Sequence, residues 1–428
     1  MRARNFFPPF SIFLALFLSF SSPVSLAETE VHEMVTLKSL VQEALDKNPG
    51  IHARKSSYLA ARSKVLGAFL PEDPKFGVDV EGQPDIFTFG GRTDNEFMAE
   101  QTIPFPTKLI LKGILAAKEA QVQYQKYKQE ERDVIWHIEQ PYYELLLARK
   151  TLTVLEETNR LLEQVVQTAT SRYESGQAPQ GDLLKVQIER ARVSLEIFDW
   201  KEKGHLAQAH FSHILNRKLE TNYVIKDEIS HSVLAYSRTE IEKIGLAKRP
   251  ELKALEAAIQ KAKTQRSLTR QEWLPDISLR YEGRQFKGKD PITEHDTFLG
   301  VTVPLWSVLR SVGGNWKSSD RELESAKEEY EKMKNEVLLK VHEAYSKLKS
   351  AENAVNSYEK VILPKSQQQV ELSLSAYETG KGDFLSVIDA ERTLKTAQIE
   401  YAKSRAGYEM AFSDLRFAVG DNLERAAS

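Results

Sequence analysis

The sequence predicts a mainly α-helical protein with a membrane β component. It reads as a two-fold internal repeat: long antiparallel coiled-coil helical hairpins (an α-barrel) carry four strands per chain, shared in a trimeric twelve-stranded β-barrel. Three observations predict this. A set of landmarks occurs twice in one order. In each copy the hydrophobic period changes from two residues to about 3.5. The short alternating stretches have an apolar face that no other part of the chain is placed to cover.

The chain of 428 residues opens with Arg2 and Arg4, an apolar run from Phe10 to Phe20 and the triplet Ser25-Leu26-Ala27. That is the pattern of a secretory signal cleaved before Glu28. The expected division is 1–27 signal peptide, 28–235 first repeat and 236–428 second repeat. There is no cysteine, which excludes disulfides and anchoring through a lipidated N-terminal Cys. Charged residues make up 28% and hydrophobic ones 41%. No window after the signal holds the ~20 apolar residues of a spanning helix, so a polytopic helical membrane protein is excluded. The net charge of −2 gives no reason to expect nucleic acid as a partner.

"ALDKNPGI" around Asn48-Pro49 returns as "GLAKRPEL" around Arg249-Pro250. Leu70-Pro71 returns as Leu274-Pro275, "AEQTIPFP" as "GVTVPLW", and Tyr173 and Gly176 as Tyr377 and Gly380, at offsets of 200 to 204. After each Leu-Pro the period is two. Phe76, Val78 and Val80 alternate with Lys75, Asp79 and Glu81; Phe97, Ala99 and Ile103 oppose Glu96 and Glu100. In the second copy Ile277, Leu279 and Tyr281 oppose Arg280, Glu282 and Arg284, and Leu299, Val301 and Val303 return. These are two hairpins, about 75–104 and 276–305, with Gly- and Pro-containing loops at 82–94 and 284–295.

Long helices follow, from about Pro106 to Tyr173 and from about Ser319 to Tyr377, with returning partners near 182–215 and 384–418. They form helical hairpins over about 106–215 and 306–418. At ~1.5 Å per residue the long helices approach 100 Å. Val337, Val341, Ala344, Leu348, Ala351, Val355, Tyr358 and Ile362 form a heptad seam, matched by Val134, Ile138, Pro141, Leu145, Ala148, Leu152 and Leu155. Pro141 and Pro364 are expected to bend or open their helices.

Helices of this length cannot fold back over two small hairpins, so the apolar strand face needs lipid. A nine-residue strand tilted ~45° spans about 21 Å, near the ~25 Å apolar band of outer-membrane barrels. Four strands cannot close, and open edges are not tolerated in lipid. Three chains supply twelve strands around a lumen lined by Asp79, Glu81, Glu96, Glu100, Arg280, Glu282 and Arg284. Tyr-x-x-Gly then marks the far end of each hairpin. Gly176 and Gly380 suit the left-handed position after a helix, and Asp182 and Asp383 are candidate caps of the returning helices. The tips read either as helix punctuation alone or also as the place where a partner docks and the pore narrows.

With "LVQEALDKNP", the two Leu-Pro strand starts, "TIPFP", "VTVPLW" and the two tips, Tyr173–Leu184 and Tyr377–Ile388, the chain resembles the TolC-type outer-membrane factors (the outer membrane efflux protein family). The resemblance covers essentially the whole expected mature length. It implies a homotrimer in the cell outer membrane extending into the periplasm, with no cofactor. As the channel component of a tripartite efflux or type I secretion system, it would dock an inner-membrane pump through a periplasmic adaptor (membrane fusion) protein. "IPFPTKLILKG" is similar to the exit segment of members paired with heavy-metal exporters. The family's ring of polar residues at the periplasmic entrance falls on Ser386 and Asp389, its first-tip Asp on Asp182, and its tip tyrosines on Tyr173 and Tyr377. An arginine that locks the closed state in the best-known member falls on Gly382, with Lys381 beside it. That leaves the closing salt bridge open here and implies a single acidic ring at Asp389.

His205, His210 and His213 lie close in sequence, but scattered surface histidines are commoner than metal ligands of this spacing. "VHEAY" at Val341 lacks the second His of a zinc-protease helix. No nucleophile triad or phosphate loop stands out, so no enzyme is expected. A periplasmic coiled-coil adaptor or a structural spacer would also use heptads. Neither needs two hairpins joined by strands with one apolar and one charged face.

Overall fold

A hydroxyl side chain turned back onto the first free N–H groups of a helix begins each copy of the repeat. In a computed structural model, Thr36 and Ser39 form one reciprocal capping box and Ser237 and Glu240 the other. The structure describes residues 33–423 apart from 82–93, 220–222, 226–231, 287–291, 293 and 380. The expected signal segment lies outside the described residues, as do the first expected loop up to 93 and Gly380.

The first copy runs β1 (Glu33–Val35), α1 (Leu37–Lys47), α2 (Pro49–Gly67), β2 (Lys75–Glu81), β3 (Asp94–Ile103), α3 (Pro106–Glu174), α4 (Gln180–Ile214) and β4 (Tyr223–Ile225). The second runs α5 (Arg238–Lys248), α6 (Pro250–Thr269), β5 (Asp276–Phe286), β6 (Glu294–Thr302), α7 (Leu305–Arg310), α8 (Trp316–Ser357), α9 (Leu363–Glu378) and α10 (Phe384–Val419). β1 and β4 pair in parallel and tie the first residues described to the end of the first copy. Among the described residues no helix is long and apolar enough to cross a membrane.

The hairpins join in one antiparallel sheet of order β2-β3-β5-β6. Its register puts Phe76 beside Ala99 and Tyr281, and Val78 beside Phe97. Leu279 and Ile277 stand beside Leu299 and Val301. This apolar face is bare: Phe76 is 79% and Leu299 71% exposed. The opposite face carries Asp79 beside Glu96, Glu96 beside Arg284, and Glu100 beside Arg280. Arg280 meets Glu282 at 3.0 Å, and Arg284 meets Glu96 at 3.7 Å. Glu81 occupies the last paired position of β2, opposite Asp94. The second expected loop is shorter than 284–295. β5 continues to Phe286 and β6 starts at Glu294, because the ladder still holds where Arg284 faces Glu294.

α3 is one helix of 69 residues, passing through a buried Pro141 without interruption. Ile138, Tyr142 and Leu145 around it are all in the core, so packing holds the turn that the missing N–H would open. The second long helix does open. Residues 311–315 and 358–362 are π-helical, the latter just before Pro364. The second seam is buried as expected from Val337 to Val355, but Ile362 is 37% exposed and Ser366 and Val370 are buried instead. The extra residue of a π turn rotates the following helix, so the buried face moves on by one position.

One lateral order runs from the sheet down the helices, with added cross-contacts of α4 to α10 and of α3 to α9 near the tips. Nearest the sheet, α3 packs against α2 and α6, and α6 against α8; farther down, α3 packs against α4 and α10, and α10 against α8 and α9. The outermost elements on one side are β2, α2 and α4, and on the other β6, α8 and α9. The copies are pinned together across the α3–α10 seam. The buried Glu139 of α3 takes hydrogen bonds from Arg416 (2.8 Å) and Ser413 of α10. Glu139→Ala leaves that arginine without its counter-charge. The expected cost is on the order of 3 kcal/mol, read as a lower urea midpoint with an unchanged slope.

Candidate functional site

The hairpin tips gather the polar residues singled out by the sequence. At the first tip α3 ends in a Schellman motif: Gln177 N–H donates to Arg172 C=O (2.7 Å) and Gly176 N–H to Tyr173 C=O (2.9 Å). Gly176 takes φ +73°, the left-handed conformation that glycine adopts without a Cβ clash. Asp182 is not the cap of the returning helix. Pro179 holds that position, with its carbonyl accepting from Asp182 N–H (3.2 Å). Asp182 instead sits in the first turn, 3.7 Å from Lys185, where a carboxylate favours the helix dipole. Proline's fixed extended geometry sets the start before an Asx cap can form.

At the second tip Lys381 and Gly382 N–H both donate to Ala376 C=O, at 2.9 and 2.8 Å. Asp383 holds the N-cap position of α10, but its side chain makes no capping bond; its carbonyl accepts from Ser386 N–H at 3.1 Å. Ser386 and Asp389 are exposed and three residues apart, on one face of α10. Asp389 lies 3.7 Å from Arg392. Tyr173 is 42% exposed, whereas Tyr377 is partly covered and packs on Phe384, ring centres 5.5 Å apart.

Two features escaped the sequence reading. Arg172 reaches across from the first tip. Its guanidinium lies 4.5 Å from the Tyr377 ring centre and donates to the Tyr377 hydroxyl. This residue directly precedes the stretch that defines the first tip, but only the fold puts it on the second. Behind Asp389 a buried ion network joins α4 to α10. Glu189, 6% exposed, accepts from Arg392 at 2.6 Å and lies 3.7 Å from Lys395, itself 7% exposed; Lys395 also bonds Glu196 at 3.0 Å. Burial works to raise the Glu189 carboxyl, but the Arg392 hydrogen bond and charge, with Lys395 and Arg192, outweigh it. They hold its pKa below the ordinary carboxylate value, so the network stays charged above that range. The available signal was the repeat itself, whose offset brings Glu189 within one residue of alignment with Arg392.

His205, His210 and His213 all lie on α4, and among the described residues no three His, Asp or Glu side chains form a metal-holding group. Gly382 explains the departure at the arginine position. A Cβ there would stand 2.9 Å from Tyr377 N and 3.0 Å from the Ala376 carbonyl carbon. Backbone cannot give way as a side chain can, so Gly382→Ala is expected to cost roughly 1–3 kcal/mol of local stability. The measurement is amide exchange, faster from Ala376 to Phe384 and unchanged at the first tip.

Two curated proteins are similar in sequence. The cobalt-zinc-cadmium resistance protein CzcC of Cupriavidus metallidurans is 19% identical over 269 residues, 63% of this chain and 63% of its own length. The alkaline protease secretion protein AprF of Pseudomonas aeruginosa is 19% identical over 305 residues, 69% of this chain and 63% of its own. The chain thus spans a little under two thirds of the length of each. Among solved structures, the outer-membrane channel OprN superposes with a TM-score of 0.77 at 14% identity, covering 90% of each chain. The chain has the fold of these channels, and the family it resembles is the one described as outer membrane efflux protein, which its residues 244–421 match.

Proposed function

We propose that this chain is the outer-membrane channel component of a tripartite efflux or type I secretion system. It acts as a passive homotrimeric conduit from periplasm to exterior, not as an enzyme. The observation that carries this reading is the lateral order. At the sheet, at the upper helices and at the lower helices, the same two sides of the protomer are outermost. Both sides are apolar as well as open. Leu184, Ile188 and Leu195 are exposed along α4; Val361, Leu372 and Leu374 are exposed along or just before α9. One side of each copy meets the other side of the next, a head-to-tail contact that closes as a ring. Three copies give twelve strands, with Asp79, Glu81, Glu96, Glu100, Arg280, Glu282 and Arg284 facing water inside. Sedimentation of detergent-solubilised protein is expected to give a trimer; a monodisperse monomer overturns the reading.

The tips are the periplasmic gate and the docking end for an adaptor and its pump. Ser386 and Asp389 line the entrance, Gly176 turns the chain at the first tip, and Tyr173 and Asp182 belong to the same ring of tips. Arg172 supplies from the first hairpin the cation that Gly382 denies the second, and its hold on Tyr377 keeps the tips together. CzcC and AprF differ in what their names say they serve, one metal resistance and the other protease secretion. The cargo is therefore set by the partner pump rather than by a tight site in the tube.

Asp389→Ala is expected to raise single-channel conductance or weaken block by divalent cations in planar bilayers; an unchanged channel removes Asp389 from the gate. Arg172→Ala is expected to lengthen and enlarge open events, because Tyr377 loses both its donor and its cation–π partner. Wild-type openings in that variant exclude the lock.

A further inference from the structure

The apolar face of the sheet is shorter than a membrane is thick. On β5 it runs from Ile277 to Tyr281, and the next positions of that face are Gly283 and Gln285. On β2 and β3 the pair Val78–Phe97, level with Gly283, extends it by one row, so the face covers six residue steps: ~20 Å of strand, or ~14 Å along the membrane normal at a 45° tilt, against an apolar band of ~25 Å. Tyr281 and His295 share a hydrogen bond of 2.5 Å at the loop end of this face, so a polar pair bounds it there. The missing depth has to come from the helical end.

There the chain exposes large apolar side chains beyond its strands. Trp273, in the turn between α6 and β5, is 52% exposed; Trp306 and Leu309 on α7 are 75% and 63% exposed. Leu305, Leu66 and Leu70 are bare as well. We propose that the periplasmic leaflet is met by helix rather than strand. In this proposal α7, Trp273 and the end of α2 form a foot sunk to the acyl–headgroup boundary of a phospholipid leaflet. The proposal rests on the barrel reading and deepens it.

The five residues of α7 up to Leu309 add ~8 Å and the two connecting residues ~5 Å at the same tilt, bringing the depth to about 27 Å, enough to fill the band. Two N–H groups at the start of α7 are bonded within the chain, Leu305 to Val303 C=O (2.9 Å) and Val308 to Pro304 C=O (3.0 Å), which lowers the cost of bringing this turn to the acyl–headgroup boundary. Indole rings, apolar with one N–H donor, favour that boundary, and the exposed Arg310 follows Leu309 at the level of headgroup phosphates. A second copy is the competing occupant for α7, which follows the outermost strand β6. It cannot account for Trp273, which lies in the turn that leads into the interior strand β5.

The test is fluorescence quenching by brominated acyl chains in the reconstituted full chain. One protein keeps only Trp306 and another only Trp273, the remaining tryptophans being replaced by Phe. A third keeps only Trp200, far down α4, as the aqueous control. A tryptophan-free protein carrying Leu299→Trp reports the strand face. Trimer formation on gels qualifies each variant, and the wild-type protein, with all five tryptophans, gives the summed signal without substitutions. Loss of emission at Trp306 and Trp273, greatest with bromines near the headgroup, and none at Trp200, is the expected result. Leu299→Trp quenched while both Trp306 and Trp273 are untouched overturns the foot but keeps the barrel. Quenching at none of the three overturns both. Trp273 quenched and Trp306 untouched gives α7 to a neighbouring copy and overturns its lipid contact.

Discussion

A backbone N–H or C=O with no partner cannot be left in hydrocarbon, and a four-stranded sheet has two rows of them, along β2 and β6. This one constraint organises the rest of the molecule. A soluble protein would cover such edges with a loop, a charge or a helix. Here each edge strand runs on into an equally open helix: β2 is preceded by α2 on its side, β6 is followed by α7 and α8 on the other. In the proposed trimer, closure at the sheet brings closure all the way down. A ring of strands cannot form unless the helices feeding it stand in a ring too.

Within a protomer the two copies are held in register by charge as much as by packing. Cores of Ile, Leu and Val join neighbouring helices, but such surfaces slide at small cost. A buried ion pair does not slide, because either partner left alone in the interior is severely penalised. Glu139 with Arg416 fixes α3 against α10 near the middle of α3. Glu189 with Arg392 and Lys395 fixes α4 against α10 near the tips. Arg392 also lies beside Asp389, so the residue that sets the register also bears on the charge at the second tip.

Periodicity made the strands and long helices legible, since a change from period two to heptads is a local signal that tertiary packing rarely overrides. Gly176 was legible for a similar reason: one backbone conformation, one residue that adopts it freely. The misreadings share a different cause. Asp182 has the right residue type for a cap, but Pro179 sets the helix start three residues earlier. Pro141 has the right chemistry to open a helix, but the core around it prevents that. Arg172 and Arg392 act across more than two hundred residues of sequence, and nothing in their immediate neighbours marks them.

The numbering of the repeat holds one further signal. Along the seam the copies are 203 residues apart, as in Val134 and Val337 or Ile138 and Val341; at the tips they are 204 apart, as in Tyr173 and Tyr377. The second copy therefore carries one extra residue between seam and tip. A helix absorbs one residue without breaking by widening a turn to π geometry, and residues 358–362 are that turn. Pro364 favours the place, because it has no N–H for the carbonyl of Lys360. Below this point the helix presents a face rotated by about 100° from the one its heptads began. Ile362 is turned out, Ser366 and Val370 are turned in, and Leu372 and Leu374 face outward. Two hairpins written with the same tip letters are thus set differently against their neighbours. The pseudo-symmetry of the two hairpins is broken well above the tip that carries Asp389, so in the proposed channel the two hairpins need not play the same part.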